Sequence, residues 1–200
     1  MPHIDGKLSL KVPGHIASTS WTHDFFPLFI YNAIRYNKPN VCVELGTLEG
    51  YSAYCIAQGL VDNMKGHLEC YDLWDDYEYK HCTRKLCAQN LAGMPVILRQ
   101  KDAMIVHEDY EDGTVDFLMV DISNDGDKYK SILMNWHDKL TSRATVMLEG
   151  GCQDRDKVDW MVKYNKTPIH PIFHDQDIID RYSLTNLGCF PSITVALKKA

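Results

Sequence analysis

The chain has 200 residues, 45% of them apolar, which suits one domain with a sizeable core, with or without an N-terminal extension. Its formal charge of −6 gathers in "DLWDDYEY" and "HEDYEDG" with no comparable basic run, which argues against a nucleic-acid-binding module; the acidic runs themselves read as solvated faces. The seven cysteines form no CxxC pair, and neither a signal-peptide layout nor a bilayer-length apolar stretch is present, so a cytoplasmic protein with reduced thiols is expected, away from membranes.

Residues 1–39 read as an extended arm followed by one helix. Asp24 is the expected cap, and Pro27 is tolerated in the first turn. Phe25, Leu28, Phe29, Ala33 and Tyr36 form the expected buried face. From residue 40 strands and helices alternate, with strands expected at 41–46, 67–73, 95–100, 115–122 and 144–148. Runs such as "VDFLMV" and "ATVML" are apolar with little alternation, as in parallel strands covered on both faces. "SNDGD" reads as a turn in which Gly126 takes a positive φ and Asp127 caps the next helix. In "DKYKSILMNWHDKL", Tyr129, Ile132, Leu133, Trp136 and Leu140 share one helix face. Val158, Met161 and Val162 do the same in "DRDKVDWMVKYN". The final "SITVALKK" alternates as a strand. No crossover helix separates it from "DIIDRYSLTN", so the two pair antiparallel. The fold class is therefore α/β, a doubly wound, Rossmann-like, mostly parallel sheet.

Ligands of such sheets bind beyond the carboxyl ends of the strands. Acids recur at that edge: Asp72, Asp102, Asp121 and Glu149 close the second to fifth strands, and Glu44 lies just before Gly46. The first turn is spaced Gly46-x-x-x-Gly50, not GxGxxG, and the Glu44 carboxylate disfavours a phosphate while suiting an ammonium group. Asp72 is placed to accept hydrogen bonds from both hydroxyls of a ribose. The edge thus asks for a nucleoside with no phosphate and an amino-acid-like cationic end, a description that S-adenosylmethionine meets. Two rivals stand beside this reading. A nicotinamide-dependent oxidoreductase is disfavoured by the missing glycine fingerprint, and a non-catalytic Rossmann-like binding module by the row of acids.

"VELGTLEGYSA", "LECYDLW", "RQKDA" and "DFLMVDIS" resemble, in order and interval, the successive motifs of class I S-adenosylmethionine-dependent methyltransferases. The first is most similar to small-molecule and sugar O-methyltransferase-like members. The resemblance runs from about Asn40 to Gly151. It implies a strand order 3-2-1-4-5-7-6 with an antiparallel last strand, a cofactor-binding domain over 40–200, and an acceptor lid made by 1–39. It implies that Glu44, Gly46, Thr47, Gly50, Tyr51 and Ser52 cradle the methionine end and that Asp72 binds the ribose. Trp74 would cover the adenine or ribose face, and Asp102 and Ala103 would contact the adenine. Asp121 would lie below the sulfonium and is the best catalytic candidate. Metal-dependent relatives hold a divalent ion with an acid after the fourth strand and an acidic or amide pair after the fifth. Here Asp121 and Glu149 match, but Gly150 replaces the second member of the pair. Mg²⁺, helped by Asp125 or Asp127, is an option and not the expectation. As general bases, His15, His23, His137 and His174 are candidates without a favourite, and His137 is expected on the surface. The implied activity is methyl transfer to a hydroxyl of a small molecule. "LEGGCQDRDKVDWMVKYNKTPI" resembles methyltransferase-like proteins of bacterial surface-polysaccharide clusters, which implies a sugar or polysaccharide-precursor acceptor. Trp21 is a candidate seat for a homodimer or a lid.

Overall fold

The computed structural model describes residues 10–17, 25–78, 81–188 and 191–199. Seven strands form one sheet: β1 (Val41–Leu45), β2 (His67–Asp72), β3 (Val96–Gln100), β4 (Val115–Val120), β5 (Leu140–Glu149), β6 (Tyr182–Leu187) and β7 (Ile193–Lys198). Their order is β3-β2-β1-β4-β5-β7-β6. The first five run parallel, and β7 runs antiparallel to both β5 and β6, as the sequence led us to expect. The helices are α1 (Phe26–Asn37), α2 (Tyr51–Asn63), α3 (Arg84–Asn90), α4 (Gly126–Trp136), α5 (Asp159–Lys163) and α6 (Gln176–Arg181).

The sheet separates two apolar clusters. On one side Phe26, Ile30, Ile56 and Cys87 of α1 to α3 pack with Cys42, Cys70, Phe117 and Met119 of the strands. On the other, Tyr129, Ile132 and Leu133 of α4 and Ile178 of α6 pack with Val43, Leu45, Leu118 and Val120. Successive strand residues therefore enter opposite cores. This is why the strands read as unbroken apolar runs. Burying one such side chain contributes roughly 1.5–3 kcal/mol, so two full cores hold the strand ends in register. β1 pairs with β2 on one side and β4 on the other; the chain runs outward from β1 to β2 and β3, then crosses back to β4 and builds the other half of the sheet. The crevice at this switch point is where a ligand fits. No described helix is long and apolar enough to cross a membrane.

Several local expectations are corrected. Pro27 does sit in the first turn of α1, but the buried face is Phe26, Ile30, Tyr31 and Ile34, while Phe25 and Tyr36 are 41% and 88% exposed. "FFPLFIYNAIRY" is apolar nearly all round, so periodicity alone offers two faces, and the row that meets α2 and the sheet prevails. Asp24, the expected cap, lies outside the described residues, as do Trp21 and His23. Strand β5 begins at Leu140, which was expected on α4; its polar Thr141, Ser142 and Arg143 break the apolar pattern. α4 is capped by Asp125, whose Oδ1 accepts from the backbone N–H of Asp127 at 3.1 Å and of Lys128 at 3.4 Å. Asp127 is already inside the helix, and so is Gly126. The glycine there serves space and not a positive φ, because a Cβ would sit 2.1 Å from the Pro168 carbonyl oxygen. In α5, Met161 is buried but Val162 is 73% exposed, since the helix is only 5 residues long and offers one contact point.

Candidate active site

The turn between β1 and α2 is held from several directions. Gly46 has φ +84° and lies so close to the end of β4 that a Cβ would stand 2.1 Å from the Asp121 carbonyl oxygen. The Asp121 N–H donates to the Leu45 carbonyl at 2.8 Å, so the turn and the end of β4 form one unit. Gly50 takes φ +95° as the residue before α2, and its N–H donates to the Thr47 carbonyl at 2.8 Å. Both angles lie in the left-handed region that glycine adopts without strain.

The Asp72 carboxylate closes over the same turn. Its Oδ2 accepts from the backbone N–H of Thr47 and of Leu48, each at 2.8 Å, and its Oδ1 accepts from the N–H of Trp74 at 2.9 Å. Successive backbone N–H groups of this kind make an anion-binding nest, and here the protein's own carboxylate fills it. A carboxylate offers about four lone-pair sites, and these bonds take three of them. The place expected for Trp74 is corrected. It is 2% exposed and does not line the cavity; its indole N–H donates to the Leu48 carbonyl at 2.9 Å, so it braces the turn from behind.

Glu44 also lies under the turn and not in the cavity wall. It is fully buried, and the Cys70 thiol donates to its Oε2 at 3.5 Å. Its Oε1 has no hydrogen-bond partner among the described residues. Burial raises its pKa from 4.5 to about 7; Ser52, Thr47 and Cys70 pull it partly back, and the Asp72 charge adds to the rise.

A cavity of about 390 Å³ opens along this edge of the sheet. Gly46, Thr47, Tyr51, Ser52 and Asp72 line one end, and Asp102 with Ala103 the side beyond β3. Asp102 also fixes its own loop, with Oδ1 accepting from the Met104 N–H at 2.9 Å. Asp121, beside Gly46 at the end of β4, and Glu149, at the end of the neighbouring β5, line the cavity as well. Gly50, set between the turn and α2, acts through the backbone and does not line the space. Of the expected site residues, then, eight face one cavity, and Glu44, Gly50 and Trp74 support it from outside.

Sequence reasoning missed the residues that complete the cavity wall. Arg155, 6% exposed, donates from Nη2 to Glu149 Oε1 at 3.0 Å and to Asn124 Oδ1 at 3.2 Å, and its guanidinium lies 4.9 Å from the Trp160 ring centroid. All four side chains line the cavity. Arg155 belongs to the stretch "DRDKVDWMVKYN", which the sequence offered only for its apolar helix face; in the structure it lies in a short turn ahead of α5, six residues after Glu149. Among the candidate histidines, His15, His137 and His174 do not line the cavity. His137 is half-buried, with its ring 5.4 Å from that of Tyr182 and its pKa lowered by burial; it is not the exposed residue the sequence suggested. His81 lines the cavity instead.

The donor set does not fit a divalent metal. Glu149 already pairs with a buried guanidinium, whose charge repels a dication, and Gly150 brings no ligand. Among the described residues, no three His, Cys, Asp or Glu side chains gather as a metal would need.

The family model described as "Methyltransferase domain" matches residues 43–149, the stretch from β1 to the end of β5. The chain belongs to this methyltransferase family. Solved structures share its fold. An O-methyltransferase from Bacillus cereus in complex with S-adenosylhomocysteine is 17% identical, with a TM-score of 0.63 over 94% of this chain and 84% of that one. The Podospora anserina methyltransferase PaMTH1, also bound to S-adenosylhomocysteine, is 16% identical, with a TM-score of 0.64 over 90% and 80%. TomG of Streptomyces achromogenes, an O-methyltransferase of tomaymycin synthesis solved with S-adenosylmethionine, is 16% identical, with a TM-score of 0.60 over 87% and 79%. No curated protein matches the chain in sequence.

Proposed function

We propose that this methyltransferase binds S-adenosylmethionine along the β1–α2 turn and transfers its methyl group to a hydroxyl of a small molecule, in the cytoplasm. One observation carries the reading. The Thr47 and Leu48 N–H groups that a pyrophosphate would need are already committed to Asp72, so the turn suits a nucleoside without phosphates. Bound there, the cofactor supplies a methyl group activated by a positive sulfur.

The chain's own residues do the rest. Tyr51 and Ser52 flank the methionine end, with Glu44 beneath them contributing partial negative charge. Asp72 keeps one lone pair for a ribose hydroxyl, and Asp102 and Ala103 border the adenine. Asp121 accepts the proton of the acceptor hydroxyl as the C–O bond forms and the C–S bond breaks, which leaves S-adenosylhomocysteine. Its placement against Gly46 couples the base to the cofactor turn. The segment before α1 supports a covering role for residues 1–39. Ala17 lines the cavity, and its N–H donates to Glu49 Oε2 at 3.0 Å. A sugar or surface-polysaccharide precursor is the acceptor that the segment after β5 suggests by its resemblance.

The test supplies S-adenosylmethionine with a labelled methyl group and fractions of small hydroxylated metabolites. Label in alkali-stable O-methyl ethers supports the proposal. Transfer only to nitrogen or carbon, or binding of a dinucleotide in place of S-adenosylmethionine, overturns it.

A further inference from the structure

Around Asp121 the cavity wall carries three donor side chains, Asn124, Arg155 and Lys128, beside two carboxylates. Arg155 fixes the orientation of the Asn124 side chain. Because Nη2 donates to Asn124 Oδ1 at 3.2 Å, the other amide atom is the N–H₂ donor. Asn124 is 4% exposed, and this Nδ2 has no hydrogen-bond partner among the described residues. A buried donor left unsatisfied is costly, and an oxygen of a bound ligand would relieve that cost. Lys128 stands at the rim, its Nζ donating to Ser123 Oγ at 3.2 Å, and both residues line the cavity. The Trp160 ring, against which Arg155 lies, offers a flat apolar wall. The carboxylates here are Glu149, paired with Arg155, and Asp121, the base.

We propose that the methyl acceptor is a hydroxy acid, its carboxylate read by the Asn124 amide and the Arg155 guanidinium with Lys128 at the rim, and that this arginine works where a divalent cation would otherwise orient the acceptor. β4 and β5 are paired up to Val120 and Leu148, so Asp121 and Glu149 follow on neighbouring strands about 5 Å apart. An acid group on the atom next to the reacting hydroxyl spans that separation. The hydroxyl then faces Asp121 and the carboxylate faces the donors. The shared chemistry admits a sugar acid or an aromatic hydroxy acid, since either ring can lie on Trp160. The inference rests on the methyltransferase reading and deepens it by naming the acceptor class.

The experiment titrates the protein, saturated with S-adenosylhomocysteine and held in EDTA, with two pairs of probes: glucuronate against glucuronamide, and salicylate against salicylamide. Charge-assisted hydrogen bonds predict that at least one acid binds about tenfold tighter than its amide. The pair that shows the preference distinguishes a sugar from an aromatic acceptor, and adding Mg²⁺ leaves it unchanged. The Glu149→Gln/Arg155→Gln double variant removes both charges of the buried pair together and so avoids stranding one of them. It is expected to lose most of the preference while still binding S-adenosylhomocysteine. Asn124→Asp, which leaves the ion pair in place, is expected to lose it too and carries the test if the double variant does not fold. Wild-type protein that binds S-adenosylhomocysteine but prefers neither acid, or prefers one only with Mg²⁺, overturns the inference. Failure to bind S-adenosylhomocysteine at all overturns the underlying methyltransferase reading instead.

Discussion

Replacing Glu44 by Gln isolates the most unusual charge in the protein. The side chain is fully buried, and desolvation raises its pKa from 4.5 to about 7. Between those two values the folded protein holds a proton that the unfolded chain has released. Stability therefore falls as pH rises through this window and levels off above it. At roughly 1.4 kcal/mol per pH unit, the window is worth about 3 kcal/mol, of which about 2–3 kcal/mol falls between pH 5 and pH 8. Glutamine has the same shape, still accepts from the Cys70 thiol, and does not titrate. The difference in stability between variant and wild type should thus shift toward the variant by about 2–3 kcal/mol from pH 5 to pH 8. Urea unfolding of both proteins at the two pH values measures it, and the other titrating groups cancel in the comparison. An unchanged difference at the two pH values would refute the claim that burial under the turn raises the Glu44 pKa.

The remaining predictions concern the turn and the chemistry. Asp72→Ala strands the N–H groups of Thr47, Leu48 and Trp74; calorimetry should show S-adenosylhomocysteine binding weakened at least about tenfold, with a lowered melting temperature. Trp74→Phe removes the indole bond to the Leu48 carbonyl and part of a buried ring system, and should cost about 2–4 kcal/mol in urea unfolding. Asp121→Asn should lower kcat by about 10²–10⁴ at nearly unchanged cofactor affinity, the signature of a lost base. A parallel loss of affinity would reassign Asp121 to binding. EDTA, followed by Mg²⁺, should leave the turnover rate unchanged.

The sheet was legible in the sequence because its central strands are buried on both faces, which leaves the unbroken runs "VDFLMV" and "ATVML". The hairpin of β6 and β7 was legible because no helix intervenes. Helix α1 was misread because a segment that is apolar on every side carries no phase. At the site, the residues on the strand-end motifs, Gly46, Asp72, Asp102 and Asp121, are where the pattern put them. What the pattern could not show is direction. Glu44 and Trp74 are close in sequence to cavity residues, yet both lie behind the turn, Glu44 against the buried Cys70 thiol and Trp74 bonded to the Leu48 carbonyl. Arg155 was invisible for the same reason. It lies only six residues after Glu149, in a short polar turn at Arg155–Lys157, and nothing in the pattern showed that its side chain turns back onto the strand end.

The account stands most directly on what the β1–α2 turn binds. Calorimetric titration of the wild-type protein with S-adenosylhomocysteine and, separately, with NAD tests this without knowledge of the acceptor. One saturable site for S-adenosylhomocysteine and no heat from NAD is the predicted result. Saturable NAD binding with none for S-adenosylhomocysteine would mean that the nest filled by Asp72 opens for a phosphate after all, and would contradict the account.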